Sequence, residues 1–328
     1  MLIYVLFVVG FFFLIKGADL LVEGASSFAK KRNISELVIG LTIVSFGTSM
    51  PELIVNLMAS FNESSDLAVG NVLGSNIANV LLILGVAAMI KPLPIQRSIY
   101  FSEIPIMLVA TFMLGFLANA NLMTDSPGLS LSRFDGAVLL FFFGLFMAYI
   151  YVISSVKTDT LTATADVEDD GIKMMSGWKS FFYVVLGGLG LFLGGKWVVD
   201  GAVHIAGLAG LSETFIGLTV VAIGTSLPEL VTSAVAAKKG RADMAVGNVI
   251  GSNIFNLLWI LGISSVLRPL PFDVVSNADL LMVILASTML IIAVIIGKKP
   301  RIDRLEGFIF VSVYVAYMVY LVMRENAV

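Results

Sequence analysis

The stretch GTSMPEL, from Gly47 to Leu53, lies in the middle of an apolar segment, residues 37–60, and it returns as GTSLPEL, from Gly224 to Leu230. Each copy places a glycine and a proline, which weaken an α-helix, beside a glutamate, which is costly to bury in hydrocarbon. Ionisable residues inside membrane segments are rare and mark functional sites by default. The repeated stretch therefore indicates a functional site inside the membrane, built on two broken helices.

The composition is that of a membrane protein. Of the 328 residues, 58% are hydrophobic and 13% are charged, with a mean hydropathy of +0.99, whereas a soluble domain carries about 25% charged residues. A spanning helix needs about 20 apolar residues, and strands of a β-barrel would be shorter and alternate in polarity. We therefore expect a multi-pass protein in a lipid bilayer, with ten spans at 2–28, 36–60, 67–90, 99–119, 134–156, 178–204, 212–236, 243–267, 278–297 and 305–323.

Basic residues are distributed unevenly between the two sets of loops. With ten spans, the side that includes both termini carries three of the twenty Lys and Arg residues and the opposite side carries fifteen; the other two, Lys16 and Lys196, lie inside spans. Loops rich in Lys and Arg stay in the cytoplasm. Both termini are therefore predicted to face outward, and the segment 157–177 is predicted to be cytoplasmic.

The chain contains an internal repeat. Residues 40–53 match residues 217–230 at 10 of 14 positions, and residues 66–85 match residues 243–262 at 15 of 20, both with an offset of 177. Five spans in each half is an odd number, so the second half enters the membrane from the opposite side. Inverted repeats of this kind recur in secondary transporters, whose substrate sites lie near the midplane on broken helices. The predicted organisation is a first five-helix repeat at 1–156, a cytoplasmic linker at 157–177 and a second, inverted repeat at 178–328.

Proline opens the backbone in both copies of the repeated stretch. Pro51 has no N–H, and its ring displaces the carbonyl group of Gly47; Pro228 acts in the same way on Gly224. A carbonyl freed in hydrocarbon needs a new partner, and a bound cation would supply one.

Polar side chains gather around the two glutamates. Thr48 and Glu52 share a helix face because they are four residues apart, as do Ser75 and Asn79 in the next span. The second half supplies their equivalents: Thr225, Glu229, Ser252 and Asn256. Two carboxylates among hydroxyl, amide and carbonyl oxygens make a cage of charge −2, which suits Ca²⁺ or Na⁺ and disfavours zinc or copper.

Simpler interpretations exist for some of these residues. The glutamates could be structural, neutralised by Lys16, Lys196 or each other, although this leaves the repeated glycine, threonine and proline unexplained. Four further asparagines are expected to bond the broken backbone of spans 3 and 8 rather than ions: Asn71, Asn76, Asn248 and Asn253.

These motifs resemble those of the cation/calcium exchanger superfamily and, within it, of the prokaryotic Na⁺/Ca²⁺ exchangers. The resemblance rests on GTSMPE with GNVLGSNIAN in the first half and on GTSLPE with GNVIGSNIFN in the second. It implies an all-α membrane protein of ten transmembrane helices, arranged as two inverted five-helix repeats in the Na⁺/Ca²⁺ exchanger fold. We also expect a monomer in the plasma (inner) membrane of a prokaryote, without cofactors other than the transported ions and without a nucleic-acid partner.

The resemblance also implies roles for individual residues. Glu52 and Glu229, with the backbone carbonyls of Thr48 and Thr225, would hold one Ca²⁺. Flanking Na⁺ sites would use the hydroxyls of the two threonines and groups of six other residues, with Asn79 and Asn256 beside the central site: Ser49, Ser226, Ser75, Ser252 and the carbonyls of Ser45 and Ala222. Spans 1 and 6 would slide across the other helices, exchanging three Na⁺ for one Ca²⁺.

One position departs from part of that family. Some members carry Asp where this chain has Asn256, and potassium-dependent relatives typically have an acid there. An amide gives the cage one less potential charge and matches Asn79 in the first half. The sequence therefore favours potassium independence.

The predicted function is an antiporter that exchanges Na⁺ for Ca²⁺. The neighbouring alternative is an H⁺/Ca²⁺ antiporter, but the hydroxyl-rich surroundings favour Na⁺ because a proton needs only the carboxylates. A calcium channel is a third hypothesis; channels usually build filters by oligomeric symmetry around a pore, whereas an in-plane pseudo-dyad suits alternating access. An enzyme is not expected, because no nucleophile–base pair is visible.

Overall fold

The computed structural model describes residues 2–61, 66–123, 128–155, 174–208, 222–296 and 300–325, and these are mostly helical. The α-helices are α1 Leu2–Arg32, α2 Glu36–Ile39, α3 Ser45–Thr48, α4 Met50–Phe61, α5 Asp66–Ala78, α6 Leu84–Ile90, α7 Ile104–Ala118, α8 Arg133–Ser155, α9 Gly177–Leu208, α10 Ala222–Thr225, α11 Leu227–Lys238, α12 Ala242–Ile254, α13 Leu261–Leu267, α14 Ser276–Ile296 and α15 Arg304–Glu325. A 3₁₀ turn covers Ala120–Met123, and the strands are β1 Leu93–Pro94, β2 Ser130–Leu131, β3 Leu270–Pro271 and β4 Arg301–Ile302.

Long apolar helices dominate the described residues. Eight helical segments are long and apolar enough to cross a membrane, and the bent pair Glu36–Thr48 and Met50–Ser60 makes a ninth if it is counted as one span. The prediction of an all-helical, multi-pass membrane protein is therefore confirmed. The predicted span 212–236 begins outside the described residues, which include only its later part, α10 and α11. Most of the predicted linker, 157–177, also lies outside them.

Several spans contain a π-helical segment, in which the backbone makes one wider turn. These segments are Gly40–Val44, Asn79–Ile83, Ile99–Glu103 and Phe255–Ile260. Such turns are rare inside α-helices and are frequent at functional sites. Two of them begin at or next to the equivalent residues Asn79 and Asn256. Hydropathy does not reveal them, because one extra residue in a single turn hardly changes the period of an apolar helix.

The two halves of the chain contact each other reciprocally. β1 pairs antiparallel with β4 and β2 pairs antiparallel with β3, which joins Leu93 to Ile302 and Leu131 to Leu270. Leu93 and Leu270 are equivalent positions of the repeat, 177 residues apart. All four are fully buried and belong to one apolar core to which both halves contribute. The two halves are therefore joined at both strand pairs and share one apolar core.

α1 and α9 pack against each other through glycines. A Cβ added at Gly17 would lie 2.8 Å from the carbonyl oxygen of Gly187, and one added at Gly187 would lie 2.6 Å from the backbone nitrogen of Leu21. A Cβ added at Gly194 would likewise lie 2.7 Å from the carbonyl oxygen of Gly10. Small residues allow membrane helices to approach this closely and gain van der Waals contact. The α1–α9 pair therefore depends on the absence of side chains at these positions.

We expect Gly187→Val to lower the unfolding temperature of the purified protein, because a side chain inserted into a packed contact costs about 1–3 kcal/mol. Gly188→Val is the matched control, since a Cβ at Gly188 would meet no atom within 4 Å. Thermal unfolding in one detergent would compare the two variants. Equal shifts would mean that the contact between α1 and α9 does not limit stability.

Candidate functional site

The two copies of the repeated stretch break their helices in the same way. The segments Glu36–Thr48 and Met50–Ser60 meet at an angle of 47°, and Ser49 between them has φ −83° and ψ 7°. Ser226, at the equivalent position, has φ −87° and ψ 6°. In both copies the proline is the second residue of the helix that follows. At that position a missing N–H removes no helical hydrogen bond, so proline restarts the helix there.

Each break places a glutamate in the first turn of the following helix. Glu52 is the third residue of α4, and Glu229 is the third residue of α11. The unpaired N–H groups and the dipole of a helix N-terminus favour negative charge. Both side chains are only 1% exposed. The helix ends thus supply part of what a buried carboxylate loses when it leaves water.

The two breaks face each other and interact crosswise. The Ser49 hydroxyl donates to Oε1 of Glu229 at 2.9 Å, and the Ser226 hydroxyl lies 3.4 Å from Oε1 of Glu52. Ser226 is the N-cap of α11 but makes no capping bond there; its hydroxyl also contacts the hydroxyl of Ser75 at 3.3 Å. The structure therefore brings both glutamates and these three serines into one buried site.

Neither glutamate forms an ion pair with a lysine or arginine among the residues that the structure describes. Lys16 lies 3.8 Å from Asp19 instead and is 61% exposed, and Lys196 is also exposed. Among the described residues, Oε2 of Glu52 and Oε2 of Glu229 have no hydrogen-bond partner. Buried charge without a partner is costly. The interpretation that Lys16 or Lys196 neutralises the glutamates is therefore wrong, and a bound cation or proton must compensate their charge.

Hydroxyl and amide groups surround the crosswise contacts. The Thr48 hydroxyl lies 3.1 Å from Oδ1 of Asn248 and donates to the carbonyl oxygen of Ser45 at 3.2 Å, while Asn248 donates to the hydroxyl of Ser233 at 3.0 Å. The prediction that Asn248 bonds the broken backbone is wrong, because its side chain bonds two other side chains. The carbonyl of Ser45 also accepts from the backbone N–H of Ser49, at 2.9 Å. This carbonyl already accepts two hydrogen bonds.

The other residues singled out as ligands lie in the same buried region or at its edge. Four of them are at most 1% exposed: Ser75, Ser252, Asn79 and Asn256. Within the part of the chain that the structure describes, Oγ of Ser252 and Oδ1 of both asparagines have no hydrogen-bond partner. Thr225 is 7% exposed, and Ala222 begins α10 at the edge of the described residues.

Two polar residues of the site were missed at the level of sequence. Asn56 and Ser233 are equivalent positions, each four residues after a glutamate, and both are fully buried. Asn56 donates to the carbonyl oxygen of Glu52 at 2.9 Å. Their spacing puts them on the same helix face as the glutamates. This spacing was the signal that could have identified them.

The ligand chemistry of the site is oxygen throughout. Within the described part of the chain, no group of three or more His, Cys, Asp or Glu side chains is placed to hold a metal ion. The site instead offers two carboxylates with neutral hydroxyl and amide oxygens. Hard cations that bind several oxygens of mixed type, such as Ca²⁺, suit this donor set, and metals that prefer thiolate or imidazole do not.

A bundle of membrane helices with a buried oxygen site on two broken helices defines an ion-transporting membrane protein. The chain belongs to the sodium/calcium exchanger protein family, whose model matches residues 2–152 and 179–323. It is 36% identical over 343 residues to the sodium/calcium exchanger MaX1 of Methanosarcina acetivorans, covering 97% of this chain and 98% of that protein. It is 35% identical over 320 residues to the inner membrane protein YrbG of Escherichia coli (strain K12), covering 95% and 94%.

A solved structure of the sodium-calcium exchanger NCX_Mj, soaked with 10 mM Na⁺ and no Ca²⁺, has the same fold. It superposes with a TM-score of 0.80 at 30% sequence identity and covers 97% of this chain and 98% of that chain. The predicted resemblance to prokaryotic Na⁺/Ca²⁺ exchangers is therefore confirmed.

We expect Asn248→Ala to lower the unfolding temperature more than Asn71→Ala, its counterpart in the repeat. Asn248 bonds Thr48 and Ser233, whereas Nδ2 of Asn71 has no partner among the residues that the structure describes. Removing one member of a buried hydrogen-bonded set costs about 1–3 kcal/mol. Thermal unfolding of both variants in one detergent tests this, and a larger loss for Asn71→Ala would contradict it.

Proposed function

We propose that this protein is a secondary antiporter that exchanges Na⁺ for Ca²⁺ across the membrane by alternating access. The observation that carries the proposal is the crosswise pair Ser49–Glu229 and Ser226–Glu52, in which two buried carboxylates meet without a basic partner among the described residues. Membership of the sodium/calcium exchanger family supports the same conclusion. The protein acts as a transporter rather than an enzyme, and the ions are its substrates.

In this proposal Glu52 and Glu229 bind Ca²⁺ together with the backbone carbonyls of Thr48 and Thr225. Flanking Na⁺ ions use hydroxyl and amide oxygens of the same region, with the carbonyls of Ser45 and Ala222 at the ends: Ser49, Ser226, Ser75, Ser252, Asn79 and Asn256. Ser45 is the weakest of these ligands, because its carbonyl already accepts two hydrogen bonds.

Charge arithmetic supports exchange rather than co-transport. Two carboxylates balance one Ca²⁺, whereas three Na⁺ leave a charge of +1, so the two loads alternate in one cage. Each cycle then moves net charge and responds to voltage by about 2.3 kcal/mol per charge per 100 mV. We infer that transport is electrogenic.

The proposed architecture is ten helices in two inverted repeats, 1–156 and 178–328, joined by a cytoplasmic linker. Reciprocal contacts between the halves support it, including the pairing of β1 with β4 and of β2 with β3. The name of the Escherichia coli relative supports placement in an inner membrane. We propose a monomer with both termini outside, as the loop charges indicate.

Na⁺ is proposed as the counter-ion in preference to H⁺ because neutral oxygens crowd the carboxylates. The hydroxyls of Ser49 and Ser226 each contact a glutamate, and the amide oxygens of Asn79 and Asn256 are buried without a partner in the described part of the chain. A proton needs only a carboxylate, whereas Na⁺ needs several oxygens to replace its water.

Uptake of ⁴⁵Ca²⁺ into proteoliposomes loaded with Na⁺ and diluted into Na⁺-free buffer tests the counter-ion. We expect uptake that depends on the outward Na⁺ gradient and that Li⁺, K⁺ or pH gradients do not replace. Uptake driven only by a pH gradient would reassign the counter-ion to H⁺. Uptake that needs no counter-ion gradient would indicate a channel.

We expect Glu52→Gln and Glu229→Gln each to reduce Na⁺-driven Ca²⁺ uptake on the order of 100-fold or more, because losing one member of a buried charge pair costs about 2–5 kcal/mol. Glu103→Gln is the matched control. Glu103 is equally buried, but its Oε1 accepts from the hydroxyl of Tyr149 at 2.8 Å rather than from a serine of the site. Near-normal uptake by either cage variant would remove the central claim.

A further inference from the structure

Four asparagines are linked in a row by hydrogen bonds between the two halves, in the order Asn79, Asn253, Asn76 and Asn256. Asn76 and Asn79 lie at the end of α5 and the start of the first π segment that follows, and Asn253 and Asn256 are their equivalents. All four are at most 1% exposed. Nδ2 of Asn79 donates to Oδ1 of Asn253 at 2.9 Å, and Nδ2 of Asn256 donates to Oδ1 of Asn76 at 2.9 Å. We call these four residues the asparagine cluster.

Backbone carbonyls set the direction of these bonds. Nδ2 of Asn76 donates to the backbone oxygen of Asn253 at 3.2 Å, and Nδ2 of Asn253 donates to the backbone oxygen of Asn76 at 3.3 Å. A carbonyl can only accept, so neither side chain can be turned over without losing this bond. Nδ2 of Asn253 also contacts the thioether of Met107 at 3.3 Å, and a thioether sulfur again is an acceptor.

The fixed orientation of one pair determines that of the other. Because Asn253 and Asn76 point Nδ2 at backbone carbonyls, each presents Oδ1 to its remaining neighbour. Asn79 and Asn256 must therefore donate from Nδ2, and their own Oδ1 atoms then face away from the other asparagines. These two oxygens are buried and have no hydrogen-bond partner among the described residues. An unsatisfied buried acceptor is costly, so each of these Oδ1 atoms is available to coordinate a ligand.

The open oxygens belong to the carboxylate site. Asn79 is one helical turn after Ser75, on the same face. The hydroxyl of Ser75 contacts that of Ser226, which in turn contacts Glu52. Asn256 follows Ser252 by the same spacing in the second half. Both amide oxygens are therefore presented on the helix faces that line the cage.

We propose that Asn76 and Asn253 are positioning residues that hold the amide oxygens, rather than the amide N–H groups, of Asn79 and Asn256 toward the transported cation. A turned-over amide would direct an N–H, with its partial positive charge, at the cation. The inference rests on the proposed function, and it assigns cation affinity to two residues that touch no ion themselves. It also explains why the asparagines occur in both halves at a spacing of three, since each half orients the amide of the other.

A double-mutant cycle tests this proposal. Asn253→Leu leaves Asn79 free to turn, and we expect the Ca²⁺ concentration for half-maximal Na⁺-driven uptake to rise about 10-fold, which corresponds to about 1.4 kcal/mol. Asn79→Leu removes the oxygen itself. If Asn253 acts only through Asn79, adding Asn253→Leu to Asn79→Leu has no further effect on that concentration. Independent sites would instead give additive changes, and additivity would overturn the proposal.

Asn277→Leu is the matched control. Asn119 and Asn277 also form an amide–amide pair between the halves, with bonds of 2.8 and 3.0 Å, but they are only partly buried and lie at the ends of α7 and α14. We expect this variant to change the half-maximal Ca²⁺ concentration less than about twofold. A change as large as that of Asn253→Leu would show that any broken amide pair weakens transport, and would overturn the proposal.

The mirror pair provides an independent cycle if Asn253→Leu does not fold. Asn76→Ala, Asn256→Ala and their double variant should show the same non-additivity. Stabilisation of the purified protein against heat by Ca²⁺ is the second readout, because it reports binding without transport. Wild-type protein that is stabilised by Ca²⁺ but shows no Na⁺-driven uptake would contradict the proposed function alone. The cycle, read by Ca²⁺ stabilisation, would still decide the role of the asparagine cluster. Wild-type protein without either response would overturn both.

Discussion

The structure depends on the cost of holding two carboxylates inside a membrane. Glu52 and Glu229 are buried together, and within the described residues no lysine or arginine balances them. Low dielectric surroundings make such charges expensive unless a cation, a proton or hydrogen-bond donors compensate. The neighbouring features reduce this cost. The helix breaks put each carboxylate at a helix N-terminus, and a serine hydroxyl from the opposite half contacts each one. What remains uncompensated is the charge that a transported cation would neutralise.

Reciprocity between the halves converts two similar motifs into one site. Neither copy of the repeated stretch is complete alone, because Ser49 contacts the glutamate of the second half and Ser226 contacts that of the first. The asparagine cluster follows the same pattern, since an asparagine of each half accepts a hydrogen bond from an amide of the other half. A site shared between two bodies can be rearranged when they move relative to each other, as alternating access requires. The glycine contacts between α1 and α9 form a separate layer, in which backbones touch with few side chains between them.

The asparagines show how neutral groups adjust a charged site. An amide carries a donor and an acceptor on one planar group, so its value to a cation depends on which end faces the ion. In water both orientations of the amide would exchange freely, but in a dry interior a hydrogen-bond partner determines which one is adopted. Backbone carbonyls are suitable for this task because they accept and never donate. The cage can thus gain two oxygens without gaining further charge.

Much follows from the sequence alone: the membrane class, the repeat and the candidate residues of the site. Hydropathy predicts membrane helices, the offset of 177 residues identifies equivalent positions, and GTSMPEL and GTSLPEL combine residues that indicate a functional site. These are local properties, because proline, glycine and glutamate act on their own helix. Three features become visible only in the tertiary structure. They are the pairing of each hydroxyl with a carboxylate, the π segments that begin at Asn79 and Phe255, and the direction of the amide groups. The hydroxyl–carboxylate contacts and the direction of the amide groups depend on residues roughly 150–200 positions apart, and helical spacing carries no information about which partner lies across the interface.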